Sequence, residues 1–259
     1  MTRVARSRAV APGFYEVVLE APEIARSAAP GQFVFVRPDA ALETTARRAF
    51  SLYWARPDAG LAGLLIQVKG PGTRAVVGRR PGEELQVLGP LGRGFAPARR
   101  GERVALIGGG VGVAPLLFLA ERLASRGCAV DVALGFRSAG LALATEELGR
   151  LANRLVVVTD DGSNGRAGVA TDAFRELADA GPVDRFCACG PPPMLRSVAR
   201  FAAERDIPGE VSVEANMACG IGACRGCAIL IRDGSTGESE YRRVCADGPV
   251  FPAGEVFWR

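Results

Sequence analysis

Near residue 100 the hydrophobic pattern changes period, so the chain cannot fold as one repeated layer. Before that point short apolar segments recur at Tyr15–Leu19, Phe33–Val36, Phe50–Trp54, Leu64–Val68 and Glu84–Leu88. Turns at Pro12-Gly13, Pro30-Gly31, Gly70–Gly72 and Pro81-Gly82 separate them. Short strands bounded this way predict a barrel or sandwich over residues 1–100. Beyond it, RVALIGG is a strand of the buried type, followed by a helical pattern from Ala114 to Ser125. VDVALGF and RLVVVTDDGS are further strands, Val169–Ala180 is helical, Arg185–Cys189 is a strand, and Pro192–Arg205 is helical again. VSVEA closes the series. Strands alternating with helices demand a parallel sheet covered on both faces, which makes residues 101–213 an α/β domain. Residues 214–259 remain as a short tail.

That tail holds four of the seven cysteines, at Cys219, Cys224, Cys227 and Cys245. The pattern C-x4-C-x2-C with a distant fourth cysteine is a plant-type 2Fe–2S spacing. Three ligands on one tight loop reach around a cluster, and the fourth arrives from a neighbouring turn. Gly220, Gly222 and Gly226 let the backbone approach the sulfurs and offer them N–H groups. The alternatives are a zinc site or buried thiols, although structural zinc usually brings two short spacings. Cys128, Cys187 and Cys189 sit in strand contexts and read as small buried hydrophobes.

The chain has no histidine. This excludes a Ser-His-Asp triad, a two-histidine zinc site and a Rieske centre. It points to chemistry carried by a cofactor, such as hydride or electron transfer. The net charge of +4 is dispersed, with no basic stripe for nucleic acid. No apolar run has the length to cross a bilayer, and MTRVARSRAV lacks the apolar core of a signal peptide. The expected location is the cytoplasm, where structural disulfides are rare.

Two glycine-bearing turns follow strands of the α/β half. ALIGGGVGVAPLLFLAERL places Gly108, Gly109, Gly110 and Gly112 between a strand and a helix, where amides can approach a pyrophosphate. FCACGPPPML places Cys189, Gly190 and Pro191 at a strand's carboxyl end, where open α/β sheets bind ligands. Both patterns also suit ordinary packing turns. TDDGSNG at 159–165 offers acids for a ribose hydroxyl or is a plain polar loop. In the first half, Arg48-Ala49-Phe50-Ser51 and Lys69-Gly70-Pro71-Gly72-Thr73 offer a guanidinium, hydroxyls and amides to a phosphate or a flavin.

The order of these parts resembles the ferredoxin-NADP reductase superfamily of flavoproteins over residues 1–213. With MACGIGACRGCAI and VCADGPVF added, the whole chain resembles the electron-transfer subunits of class B dihydroorotate dehydrogenase, nearly end to end. The resemblance implies a multi-domain β + α/β fold. Its parts are an N-terminal antiparallel β-barrel binding FAD (1–100), a Rossmann-like parallel α/β domain binding NAD (101–213) and a small C-terminal 2Fe–2S domain (214–259). Carried over by motif, Arg48, Ala49, Phe50, Ser51, Leu65, Ile66, Gln67, Gly72 and Thr73 contact FAD, with Ser51 beside the flavin ring. Gly108, Gly109, Gly110, Gly112, Cys189, Gly190 and Pro191 serve NAD. Cys219, Cys224, Cys227 and Cys245 ligate iron. Ala49 stands where relatives often have proline, which leaves Arg48 and Ser51 in place. Arg47 adjoins, but Arg48 keeps the R-x-F-S spacing.

The resemblance further implies a partner subunit that carries FMN and oxidises dihydroorotate, in a heterotetramer of two copies of each chain. Electrons would pass from FMN through the cluster and FAD to NAD+, within pyrimidine biosynthesis. Arg137 in GFRS leaves a 2′-phosphate, and hence NADP, open on the residues alone. The competing readings are a flavin/iron–sulfur subunit of another NAD(P)H-linked complex, a reductase that needs no partner, and a zinc-containing binding module.

Overall fold

The structure is a computed structural model describing residues 1–38, 46–234 and 236–258. Strands β1 (Thr2–Ala11) and β2 (Phe14–Glu20) form a hairpin, and helix α1 (Pro22–Ser27) follows. Then come β3 (Phe33–Arg37), β4 (Arg48–Arg56), β5 (Leu61–Gln67), helix α2 (Pro71–Val77) and β6 (Glu84–Leu91). They close an antiparallel barrel in the order β1-β2-β5-β4-β3-β6. Val17, Leu19, Val34, Val36, Leu52, Leu64, Ile66 and Leu85 fill its interior. Side chains alternate across a strand. In β3 this sends Phe33 and Phe35 to the outside, where they are nevertheless buried.

The second half contains β7 (Arg103–Gly109), α3 (Val113–Ser125), β8 (Ala129–Phe136), α4 (Thr145–Leu151) and β9 (Arg154–Thr159). It continues through α5 (Ala170–Asp179), β10 (Arg185–Cys189), α6 (Pro192–Glu204) and β11 (Gly209–Ser212). Strands β11, β10, β7, β8 and β9 lie parallel in that order. Val104 and Leu106 of β7 pack towards α3 and α4, while Ala105 and Ile107 pack towards α5 and α6. This double burial accounts for the continuous apolar runs in the sequence. Asp131, fully buried in β8, is held by Arg154 (2.9 Å) and Arg103 (3.2 Å) at the strands' amino ends.

Barrel and sheet are joined by Arg56 of β4, whose guanidinium donates to both oxygens of Glu121 on α3 (2.8 and 2.6 Å). Tyr53 is buried beside this contact, and burial, followed by the charge of Glu147, pushes its phenol upward.

The tail forms a hairpin of β12 (Ala228–Arg232) and β13 (Ser239–Arg243). It then returns to the parallel sheet as β14 (Val250–Pro252), antiparallel to β11. Through β14 the tail therefore shares a sheet with the α/β half, while β12 and β13 form a sheet of their own. Cys227, Ile231, Val244, Cys245 and Phe251 pack with Phe33 and Phe35 of the barrel. No helix among the described residues is long and apolar enough to cross a membrane.

Candidate functional site

A cleft of about 220 Å³ opens where barrel, sheet and tail meet. Arg48, Ala49, Phe50 and Ser51 of β4 and Leu65 and Gln67 of β5 form its barrel wall. Val111, Gly112, Cys189, Ser212, Ala215, Met217 and Pro249 complete it from the sheet and the tail. Arg47 turns away and donates to the Gln86 carbonyl (3.3 Å). Arg48 is the arginine that lines the cleft, and its Nη1 donates to the Ala46 carbonyl (2.8 Å). A side chain at Gly72 would come within 3.2 Å of the Arg48 guanidinium, so glycine lets the arginine lie against this turn.

Two of the residues assigned to FAD offer it main chain rather than side chain. Ile66 is 1% exposed and packs inside the barrel, because β5 alternation faces Leu65 and Gln67 outward instead. Only its main chain is left for a cofactor. The Thr73 hydroxyl is occupied by its own turn. It accepts from the Lys69 and Gly70 amides (3.0 and 3.2 Å) and donates to the Gly70 carbonyl (3.0 Å). The side chain therefore shapes the turn. The first-turn amides of Gly72 and Thr73 have no intrahelical acceptor and suit an anion.

A second cleft, of about 510 Å³, lies beyond the carboxyl ends of the parallel strands. Gly109, Gly110, Gly112, Gly190 and Pro191 line it together with Gly135, Phe136, Arg137 and Asp160. Gly108 is not in its wall. A side chain there would meet Leu134 at 2.9 Å and Val113 at 3.1 Å, so this glycine sets the spacing of strand and helix. Cys189 faces the smaller cleft, and burial pushes its thiol up to about 12. In the TDDGSNG loop Asp160 reaches the cleft, whereas Asp161 accepts from the Ser163 amide and hydroxyl (2.9 and 2.6 Å). The two clefts share Gln67, Lys69, Val111, Gly112 and Glu214 and are therefore continuous. Glu214 escaped the sequence reading because it falls at the junction of sheet and tail, outside any motif. A wider groove of about 690 Å³ at the opposite end of the sheet is built from paired charges, Arg185 with Glu102 (3.2 Å) and with Glu210 (3.5 Å).

All seven cysteines are free thiols. In the tail the sulfurs fall into two pairs. Cys227 and Cys245 are buried, 3.3 Å apart. Cys224 is exposed and Cys219 half-buried, and the Cys224 amide donates to the Cys219 sulfur (3.4 Å). Further amides reach sulfur from Gly222 to Cys245 (3.1 Å), Gly226 to Cys224 (3.4 Å) and Cys245 to Cys227 (3.4 Å). The Cys224 amide, then that of Ile221, helps to hold the Cys219 thiol down to about 6. Burial pushes Cys245 up to about 12. Among the described residues no three metal-binding side chains converge on one point. Two pairs of sulfurs ringed by amide donors fit a binuclear cluster. Gly220, at φ +72, lies against the Phe35 ring, where a side chain would come within 2.6 Å.

A flavin-sized cleft joined to a dinucleotide-sized one, between a barrel and a parallel sheet, defines a flavoprotein reductase of the ferredoxin-NADP reductase type. The fold is shared with a ferredoxin NADP+ reductase from Neisseria gonorrhoeae with bound FAD and NADP (TM-score 0.65, 19% identity, 78% of this chain and 89% of that one). It is closer to the NADH-dependent reduced ferredoxin-NADP oxidoreductase structure (TM-score 0.88, 29% identity, 100% and 90% covered). Residues 106–200 match the oxidoreductase NAD-binding domain, and residues 214–257 match the iron-sulfur cluster binding domain of dihydroorotate dehydrogenase B. The electron transfer subunit of dihydroorotate dehydrogenase B (NAD(+)) from Desulforamulus reducens is 39% identical, with 96% of this chain and 94% of that one aligned. That from Bacillus caldolyticus is 40% identical, with 98% and 96% aligned. The chain belongs to this family of electron transfer subunits.

Proposed function

We propose that the chain takes electrons from a catalytic partner that oxidises dihydroorotate and delivers them to NAD+, in the cytoplasm, as a step of pyrimidine (UMP) biosynthesis. The partner carries FMN, and two copies of each chain assemble. When bound, FAD supplies the exchange between single electrons and a hydride, the 2Fe–2S cluster carries single electrons, and NAD+ takes the hydride. Arg48 with the Gly72 and Thr73 amides holds the FAD phosphates, and Phe50, Ser51, Leu65 and Gln67 hold the ring. Gly109, Gly110, Gly112, Gly190 and Pro191 hold NAD. Cys219, Cys224, Cys227 and Cys245 ligate iron. No residue of the chain acts as a general base, in keeping with the absence of histidine.

The observation that carries this reading is a continuous line of packing. Phe33 lines the smaller cleft and packs in the same cluster as Cys227 and Cys245, and that cleft opens into the larger one at Gln67 and Gly112. Cys224 and Ile221 (59% exposed) lie at the surface of the loop, and this reading assigns them to the face that meets the partner. Anaerobic copurification with the partner tests the reading. Dihydroorotate should bleach flavin and cluster absorbance, and NAD+ should restore it. Replacing Cys224→Ser should abolish reduction of NAD+ by dihydroorotate while leaving NADH oxidation by ferricyanide. Loss of both activities with FAD still bound would overturn the assignment of roles.

A further inference from the structure

We infer that Arg243 is a positioning residue for the iron–sulfur site, fixing an amide-to-sulfur hydrogen bond that raises the cluster's reduction potential. This rests on the reading above that Cys245 and its fellows ligate a cluster. The four cysteines come from two separate segments, the loop 219–227 and the turn 243–247. Arg243 ties them together. Its Nε and Nη2 donate to the two carboxylate oxygens of Asp247 (3.0 and 3.1 Å), a fork that brackets Cys245 from either side in sequence. The Arg243 amide donates to the same carboxylate (2.9 Å), and the Asp247 amide to the Arg243 carbonyl (2.8 Å). The remaining Nη1 crosses to the Gly222 carbonyl at 3.2 Å.

Gly222 is the residue whose own amide donates to the Cys245 sulfur, at 3.1 Å. It is held on three sides. Its φ is +84, and a side chain would meet Ala246 at 3.0 Å and the Arg243 Nη1 at 3.3 Å. The guanidinium therefore pins one end of a peptide segment whose other end points an N–H at sulfur. Hydrogen bonds to sulfur favour the more negative, reduced cluster, and a fixed positive charge nearby acts in the same direction. A guanidinium suits this position because its planar fork can serve a carboxylate and a carbonyl together; a lysine cannot reproduce that geometry.

The test is Arg243→Gln and Arg243→Lys in the complex with its catalytic partner. Cluster potential is read by EPR-monitored redox titration, Fe–S stretching by resonance Raman, and FAD content and NADH–ferricyanide turnover serve as controls. In Arg243→Gln the ratio of reduced to oxidised cluster at a fixed NADH/NAD+ ratio should fall about tenfold, equivalent to about 59 mV for one electron. Arg243→Lys keeps the charge but loses the Gly222 tie, and should shift the Fe–S stretches and lower the potential by less. FAD content and ferricyanide turnover should be unchanged in both. An unchanged potential and spectrum in both variants would overturn the inference. So would loss of the cluster from both with FAD retained, since Arg243 would then serve assembly alone. Iron and sulfide analysis of the unsubstituted chain separates these outcomes from a failure of the cluster reading itself, which would show as absent iron.

Discussion

Gly112 meets the β10 end more closely than any side chain would allow, and replacing it with alanine should misplace the nicotinamide cleft. Its φ is −61, ordinary for any residue, so Gly112→Ala introduces no backbone strain. The obstacle is steric. The new methyl would stand 2.5 Å from the Cys189 carbonyl carbon and 2.7 Å from the Gly190 nitrogen. Both are main-chain atoms, so no rotamer relieves the contact and the β10–α6 turn must move. Overpacking of this kind costs about 1–3 kcal/mol. If that displacement is felt in the transition state, hydride transfer from NADH slows about 5- to 140-fold, at about 1.4 kcal/mol per factor of ten. Gly13→Ala provides the control. Gly13 has φ +76 but nothing within 4 Å and lines neither cleft, so alanine there costs about 1–2 kcal/mol of local backbone strain without touching Cys189–Pro191. Stopped-flow reduction of bound FAD by NADH, with FAD content as a check, reads both variants. Gly112→Ala should be much slower and Gly13→Ala within a few-fold of the parent. Equal rates for Gly112→Ala and the parent, or a greater loss in Gly13→Ala, would refute the steric argument.

Removing the charge of Asp131 leaves Arg103 and Arg154 around a buried neutral group. Asp131→Asn should therefore cost about 3–5 kcal/mol, lowering Tm by about 6–20 °C in a calorimetric scan. Cys189 has its thiol raised to about 12. The thiolate is the attacking form, and at pH 8 so high a value leaves almost none of it. Mass spectrometry after iodoacetamide treatment should then find it unmodified while the chain stays folded. Labelling at pH 8 at the rate of an ordinary exposed thiol would contradict that. Gly63 lies under the Trp54 ring, where a side chain would come within 2.5 Å of Nε1. Gly63→Ala should destabilise the barrel by about 1–3 kcal/mol, seen as a lower denaturant midpoint by Trp fluorescence.

The α/β half was legible because burial on both faces writes long apolar strands between amphipathic helices. The barrel was legible only where a strand buries one face fully. β1 was missed because, of its residues, Val4 alone is fully enclosed, and TRVARSRAVA reads as polar. Helix α4 was missed because Leu148 is its one buried residue. β14 has three residues, too few for any period, and its partner β11 lies about forty positions earlier. At the site, motif spacing placed Arg48, Gly112 and the cysteines on the clefts and loop where they stand. Spacing alone did not tell side chain from main chain: Ile66 turns its side chain into the barrel, and the Thr73 hydroxyl serves its own turn.

The return of the chain through β14 decides how charge must travel. The cysteine-bearing segment leaves the parallel sheet after β11 and re-enters it beside the same strand, with its middle pressed on Phe33 and Phe35. Both ends are anchored to one sheet, so this segment is fastened rather than tethered. A tethered carrier trades distance for time and works at the pace of its own diffusion. A segment fastened in this way holds distance constant, so the rate of exchange is set by packing between fixed centres and by the difference in their potentials.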